Sequence, residues 1–444
     1  MKKICMVGTG YVGLVSGACM ADFGHEVWCV DIIEDRITGL GRGEIPFYEP
    51  GLDTLVKKNH AANRLHFTTS LAEGMEQADV VFIAVQTPMS ATGEADLTYV
   101  MQVGEQVGTL LTGYKVVVTK STVPVGTARR LAAVIKNALP EPVDFDMASN
   151  PEFLREGSSI EDFMRPDRVV IGTESQRAAD IMSRIYRPLY LLDTPIVHCD
   201  IETAELIKYA SNSFLAVKIS FINELATLAE QVGADIAVIA KAMGLDKRIG
   251  PKFLHAGLGF GGSCLPKDTN AIVHIGQSQD VPMRIVTAAI DVNAELPHRA
   301  FAKAQQLVPD LAGKTVALLG VAFKPNTDDI RSAASIPLTR ALLAAGARIN
   351  AYDPVAMPNF REVFADLNYC DSTFEAVTGA DLCILVTEWN EFRQLDFEQL
   401  AKVMRERAFL DCRNVYNHKH VAGYGFRYAC FGRPDSARPR GEGQ

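Results

Sequence analysis

The chain has 444 residues, 48% hydrophobic and 22% charged, with a formal net charge of -9. That length accommodates two or three domains with full cores, and the composition excludes a largely disordered chain. The acidic balance argues against a nucleic-acid surface, and no apolar run reaches the ~18 residues of a membrane span, so no membrane association is expected. The first strand pattern, Lys2-Lys3-Ile4-Cys5-Met6-Val7-Gly8, begins without a signal-peptide signature, which suggests a cytoplasmic protein. Nine cysteines, an odd number with no Cys-x-x-Cys pair, suit a reducing compartment better than a disulfide framework or a zinc site, and no metal is expected.

Short apolar runs at residues 3–8, 26–31, 79–85, 115–120, 145–149 and 168–172 alternate with amphipathic stretches. That pattern predicts a doubly wound parallel sheet over residues 1–199. Gly8-Thr9-Gly10-Tyr11-Val12-Gly13 follows the first strand and opens a helix, and Asp31 closes the second strand eighteen residues beyond Gly13. The glycines permit a tight turn and bring a pyrophosphate to a helix N-terminus, with Tyr11 and Val12 in the same turn, while the carboxylate accepts from ribose hydroxyls. A dinucleotide is expected, and the charge of Asp31 repels a 2′-phosphate, favouring NAD over NADP. Arg36 suits stacking on adenine or, as weaker readings, tolerance of NADP or a solvated surface position.

Asn150-Pro151-Glu152-Phe153-Leu154-Arg155-Glu156-Gly157 follows a strand at the carboxyl edge of this sheet, where ligands gather. From Ile201 no Gly or Pro interrupts a helical period before Gly233, a rod of about 48 Å. It reads as the spine of a helical domain over residues 200–305. Glu205, Lys208 and Asn212 share one face of it, among enough apolar neighbours to bury the helix on most sides, and a buried lysine is usually functional.

Within that domain, Gly259-Phe260-Gly261-Gly262-Ser263-Cys264-Leu265-Pro266-Lys267-Asp268 sets a thiol among glycines and follows it with an ammonium and a carboxylate. Glycines admit a ligand close to the main chain, and Lys267 favours the thiolate. A helical turn from Leu265 would put Cys264 and Asp268 on one face. A reactive cysteine is expected.

A second α/β unit over residues 306–432 starts at Lys314-Thr315-Val316-Ala317-Leu318-Leu319-Gly320, with strands at 347–352, 381–387 and 408–411. It lacks the glycine fingerprint but offers Lys324 and Arg331 in a strand-end loop, suited to the phosphates of a sugar nucleotide. Residues 433–444, rich in Gly, Pro and Arg, read as a disordered tail. The expected architecture is α/β, two Rossmann-like doubly wound sheet domains joined by a long central helix and a small helical domain.

Together with Tyr48-Glu49-Pro50-Gly51 and Ser121-Thr122-Val123-Pro124-Val125-Gly126-Thr127, these stretches resemble the nucleotide-sugar dehydrogenases, the UDP-glucose/GDP-mannose dehydrogenase family, from residue 1 to about 420. Asp246-Lys247-Arg248-Ile249-Gly250, Thr387-Glu388-Trp389-Asn390-Glu391-Phe392 and the segment from Phe253 to Gly257 look like the branch acting on UDP-glucose. The resemblance implies a four-electron oxidation of the C6 alcohol to a carboxylate, reducing two NAD, with Cys264 holding first a thiohemiacetal and then a thioester. It further implies that Lys208 and Asp268 orient the reacting oxygen, that Asn212 contacts it, and that Thr122 and Glu152 position water for hydrolysis. Asp31, Arg36, Thr122, Glu156, Lys267 and Arg331 would contact NAD. Glu152, Phe153, Leu154, Arg155, Glu156, Lys208, Asn212, Phe253, Leu254, His255, Ala256, Gly257, Gly261 and Lys324 would contact the sugar nucleotide, with Arg248 reaching in from the partner of a homodimer. Gln86, Cys412 and Ser332-Ala333-Ala334 depart from the family pattern. Rival readings are a dehydrogenase of UDP-N-acetylmannosamine or GDP-mannose, a two-electron hydroxy-acid dehydrogenase that needs no thiol, and a non-catalytic NAD-sensing protein.

Overall fold

The computed structural model describes residues 1–90 and 93–434. The chain packs as two units, Met1–Ser211 with Asn270–Gln279, and Asn212–Thr269 with the chain from Asp280 onward. The helical segment expected over residues 200–305 is thus shared between them.

The first unit contains an eight-stranded sheet. Its strands are β1 (Lys3–Val7), β2 (Glu26–Val30), β3 (Leu65–Thr68), β4 (Val80–Ile83), β5 (Lys115–Thr119), β6 (Phe145–Ser149), β7 (Val169–Gly172) and β8 (Ile196–Cys199), in the order β3-β2-β1-β4-β5-β6-β7-β8. Strands β1 to β6 pair in parallel, as predicted. The sheet is not parallel throughout, because β6 meets β7 antiparallel through Ser149 and Gly172. The order reverses between β1 and β4, and such a switch point opens a crevice at the carboxyl ends of the strands. Every residue of β4 and β5 is buried, as a sheet covered on both faces requires. β3 and β8, absent from the sequence reading, are four-residue edge strands, each with an internal histidine and partial exposure.

The second unit contains an all-parallel sheet of β9 (Thr315–Leu319), β10 (Arg348–Tyr352), β11 (Asn368–Tyr369), β12 (Leu382–Leu385), β13 (Ala408–Asp411) and β14 (Arg427–Cys430), ordered β11-β10-β9-β12-β13-β14. The long helix spans Ile201–Val232 and stops before Gly233, whose φ is 76°, as the sequence predicted. Further helices cover Ile236–Gly244, Leu265–Ser278 and Arg284–Leu307. Among the described residues, no helix is long and apolar enough to cross a membrane, none of the nine cysteines forms a disulfide, and no acidic, histidine or cysteine cluster could hold a metal.

The predicted tail begins too early. Arg433 bonds Asp235 at 3.0 Å and the carbonyl of Tyr416 at 3.2 Å, so it belongs to the fold. Residues 435–444 lie outside the described residues.

The carboxylate after β10 also sets the second sheet apart from the first. Asp353 stands where Asp31 stands after β2, but it is fully buried. It accepts from the amides of Val321 (2.7 Å), Ala322 (3.2 Å), Val355 (3.0 Å) and Ala356 (2.9 Å) and from Trp389 Nε1 (3.1 Å). Five protein donors take up the carboxylate that a ribose would need, which is also what makes burying it tolerable. Replacing Asp353 by Ala leaves these donors unmatched, at about 1–3 kcal/mol each before they relax. Thermal unfolding should therefore show a Tm lower by several degrees, while the folded fraction keeps its dinucleotide affinity.

Candidate active site

In the first unit, Gly10 caps the helix Tyr11–Asp22 with no side-chain cap bond, leaving the first amides of that helix to a ligand. A Cβ on Gly10 would meet nothing within 4 Å, whereas one on Gly8 would lie 2.6 Å from the carbonyl of Ala84 and one on Gly13 would collide with the carbonyl of Gly8. Gly8 and Gly13 serve the turn, and Gly10 leaves a cradle for a pyrophosphate. Val12 is half-buried against the core. Asp31 Oδ2 accepts from Thr9 N (2.9 Å), Thr9 Oγ1 (2.7 Å) and Arg36 (3.1 Å), and Oδ1 accepts from Ile33 N. Burial would raise its pKa, but these bonds and the Arg36 charge leave it below the usual carboxylate range. These residues fit NAD: a fixed anion at the ribose position and amides at a helix N-terminus.

Glu152 and Lys208 form a buried ion pair at 3.0 Å, with side chains 5% and 4% exposed. Burial would raise Glu152, but the Lys208 ammonium, the amide of Leu154 at 2.5 Å and Lys120 hold it below its ordinary value. Two cations lie over the ring of Phe153, Arg168 at 3.5 Å and Lys208 at 5.5 Å from its centre. Arg155 is turned to Asp162, which it binds at 2.5 Å, and Glu156 is half-buried. Thr122 is held by its carbonyl, which accepts from Thr87 Oγ1 at 2.9 Å. The exposed Gln86 beside Thr87 has no left-handed backbone, so its conformation alone does not call for glycine.

The sequence reading missed Lys120, at the end of the apolar strand β5. Its ammonium binds Asn150 Oδ1 at 3.0 Å, and Tyr186 donates to the same oxygen at 2.5 Å. Burial, partly opposed by Glu152, pulls its pKa down to about 8. A lysine directly after the buried run Val116-Val117-Val118-Thr119 was the available signal. Glu205, noted only as a neighbour of Lys208, accepts from the amides of Gly126 (2.6 Å) and Ala128 (2.9 Å) at the start of the helix Thr127–Ala138. It thereby anchors the segment that follows Thr122.

In the second unit, Cys264 occupies the N-cap of the helix Leu265–Ser278, its carbonyl accepting from Asp268 N at 2.9 Å, so the predicted helical turn is present. Cys264 is half-buried, and Ser263 Oγ lies 3.6 Å from its sulfur. Asp268, fully buried, accepts from Asn212 at 2.6 Å and pairs with Lys267 at 2.6 Å. The Lys267 charge expected beside the thiol is therefore shared with Asp268. The loop glycines serve internal packing more than ligand approach: a Cβ on Gly261 would strike the carbonyl of Ser332, and one on Gly262, whose φ is 79°, would lie 2.7 Å from the Phe323 ring. Ser332 itself has φ 50°.

Phe253 adopts φ 65°, a strained conformation for an aromatic residue. The segment after it is anchored by Gly257 N to Asn223 (2.8 Å) and by the Ala256 carbonyl to Asn414 (3.2 Å), with Leu254 buried and His255 exposed. A Cβ on Gly257 would lie 2.5 Å from the carbonyl of Cys412. Arg331 pairs with Asp329 at 2.7 Å, and Lys324 lies 5.2 Å from the ring centre of Phe323. Arg248, with its side chain 89% exposed, pairs with Asp246 at 2.6 Å in a turn that Lys218 fastens through the carbonyl of Ile249.

Models of the UDP-glucose/GDP-mannose dehydrogenase family match the chain in three stretches: the NAD binding domain over residues 2–190, the central domain over 202–295 and the UDP binding domain over 317–418. The chain is 50% identical over 440 residues to a UDP-glucose 6-dehydrogenase of Rhizobium meliloti, covering 98% of this chain and all of that one. It is 43% identical to the UDP-glucose 6-dehydrogenase TuaD of Bacillus subtilis, covering 98% and 94%. A solved UDP-glucose dehydrogenase of Pyrobaculum islandicum superposes with a TM-score of 0.89 at 39% identity, covering 94% of this chain and 96% of that one.

Glu205 gives this site a pH signature. Burial outweighs its two amide bonds, Glu202 adds repulsion that Arg129 only partly offsets, and the carboxyl is pushed up to about 7 from 4.5. The folded chain thus holds this proton more tightly than the unfolded one, a stabilisation complete below pH 4.5 and lost as pH rises through about 7. Glu205→Gln cannot ionise and escapes that loss. The Tm of the native chain relative to this variant should fall between pH 5 and pH 8, by up to about 3 kcal/mol of stability. A constant difference across that range would contradict the assignment.

Proposed function

Because this chain belongs to the UDP-glucose/GDP-mannose dehydrogenase family, matched in all three of its domains, we propose that it oxidises UDP-glucose to UDP-glucuronate with NAD through covalent intermediates on Cys264. The observation that carries this is the thiol at the head of the helix Leu265–Ser278, one turn from an Asp268 already fixed by Asn212. Lys208 stands one turn before Asn212 on the long helix. When bound, NAD supplies the hydride acceptor for both oxidations, held by the turn at Gly8–Gly13, Asp31 and Arg36, with Thr122, Glu156, Lys267 and Arg331 as further contacts.

The first oxidation removes a hydride from C6 and a proton from its hydroxyl, leaving an aldehyde. An aldehyde has no hydroxyl to oxidise. The Cys264 thiol adds across the carbonyl, forming the S–C bond and returning a hydroxyl to C6. Lys208, Asn212 and Asp268 orient and stabilise that oxygen. Loss of a second hydride and proton gives the thioester. Water placed by Thr122 and Glu152 then forms the new C–O bond, the C–S bond breaks and the thiolate leaves. Glu152 suits this role because Lys208 keeps it ionised. The nucleotide is held by Glu152 to Glu156, the Phe253 to Gly257 segment, Gly261 and Lys324.

We also read the protein as a homodimer formed through the long helix. Phe214, Phe221, Leu228 and Val232 recur at helical spacing on it and are 64%, 49%, 56% and 67% exposed. A stripe of large apolar side chains in water is unfavourable, and a second copy of the same stripe across a twofold axis covers it without a different partner. The exposed turn bearing Arg248 is then available to the neighbour's site.

Cys264→Ala should abolish formation of the sugar acid while retaining UDP-glucose binding, and the native enzyme should yield two NADH per acid. Steady acid production by the variant would exclude the covalent route. Phe221→Glu with Leu228→Glu should convert the dimer to a monomer by light scattering. In the dimer, mixed Arg248→Ala and Cys264→Ala subunits should recover activity that each lacks alone.

A further inference from the structure

Glu49 is a buried carboxylate that the reaction above does not use. It lies in Tyr48-Glu49-Pro50-Gly51, ahead of the helix Leu52–Ala61, and is 6% exposed. Its Oε1 accepts from Ser159 N at 2.8 Å, and its Oε2 accepts from Gly157 N at 2.6 Å and from the Tyr11 hydroxyl. That hydroxyl also accepts from Gly157 N, at 3.2 Å. Tyr11 opens the helix at the dinucleotide turn, and Gly157 closes the segment that carries Glu152 and Glu156. Burial and the bond to Glu49 push the Tyr11 phenol well above its ordinary range, so it remains a donor at any working pH.

We infer that Glu49 is a positioning residue that makes dinucleotide binding at the Gly8–Gly13 turn and sugar-nucleotide binding at the Glu152–Glu156 segment favour one another. This rests on the roles proposed above for those two segments. A pyrophosphate at the helix N-terminus fixes the turn that holds Tyr11. Tyr11 and Glu49 then fix the amides of Gly157 and Ser159, so part of the ordering of the sugar segment is complete before the sugar nucleotide arrives. The second ligand has less freedom left to remove and binds more tightly, and by linkage the effect is reciprocal.

The test measures the Kd of UDP-glucose with and without saturating NADH, which cannot accept a hydride and so allows no turnover. In the native protein NADH should tighten UDP-glucose within the range of about 5- to 150-fold typical of such couplings. In Glu49→Gln and in Tyr11→Phe the ratio should fall to within about twofold of one, while UDP-glucose alone still binds. The double variant should lose no more coupling than either single one, since both cut the same link. A merely structural role would lower the Tm and weaken both binary affinities while leaving the ratio intact. No tightening in the native protein, or equal tightening in both variants, overturns the inference. If Glu49→Gln does not fold, Tyr11→Phe, which removes one hydroxyl, decides. Failure of the native protein to oxidise UDP-glucose with NAD would instead bring down the proposed function, and the inference with it.

Discussion

An α-helix repeats its faces every 3.6 residues or so, and along Ile201–Val232 that period decides where the protein's polar anchors stand. Glu205 reaches the amides at the start of the helix Thr127–Ala138, Lys208 reaches Glu152, and Asn212 reaches Asp268. Further along, Ser220 bonds the carbonyl of Ala289, Asn223 the amide of Gly257, and Glu230 the amide of Gly432. At about 100° per residue these six lie on one side of the helix. Phe214, Phe221, Leu228 and Val232 lie on the other. One helix therefore spends its polar face on anchoring loops, while its opposite face carries large exposed apolar side chains.

Buried charge is the second determinant. Removing a carboxylate and an ammonium from water costs several kcal/mol apiece, so a pair such as Glu152 and Lys208 persists only if each satisfies the other and its remaining valences find donors or acceptors. Leu154 N completes the shell of Glu152, and the ring of Phe153 lies beside Lys208. Lys120 adds a second ammonium, fixed on Asn150, which also receives Tyr186 and donates to the carbonyl of Val170. Such a network holds its charges in one arrangement before any ligand arrives. Preorganised charge of that kind is what stabilises oxygen atoms whose charge changes during a reaction.

The features legible in the sequence were those whose meaning is local. The glycine turn with Asp31, the uninterrupted helix from Ile201 and the thiol before Lys267 and Asp268 each carry their signal within a few dozen residues. What escaped depends on partners far along the chain. Nothing near Lys267 or Arg155 in the sequence marks them as paired, yet Asp268 shares the charge of the first and Asp162 that of the second. The sequence also gives no sign that the space a side chain would take at Gly261 and Gly262 is filled by Ser332 and Phe323. β3, β8 and β11 are too short, and too exposed, to interrupt the sequence as recognisable strands. Lys120, buried in polar company, looks from the sequence like the polar end of an apolar strand.

The fate of Asp353 bears on how a four-electron oxidation can run at all. With that carboxylate occupied by five protein donors, only the first sheet presents a dinucleotide acid, so two equivalents of NAD have to use one berth in turn. The reduced dinucleotide must depart and an oxidised one must dock while the sugar is half-oxidised. A free aldehyde could diffuse away during that exchange. In the proposed mechanism the sulfur of Cys264 then acts as a mooring as well as a nucleophile: the bond that makes the second oxidation possible also keeps the intermediate from escaping while the dinucleotide is replaced.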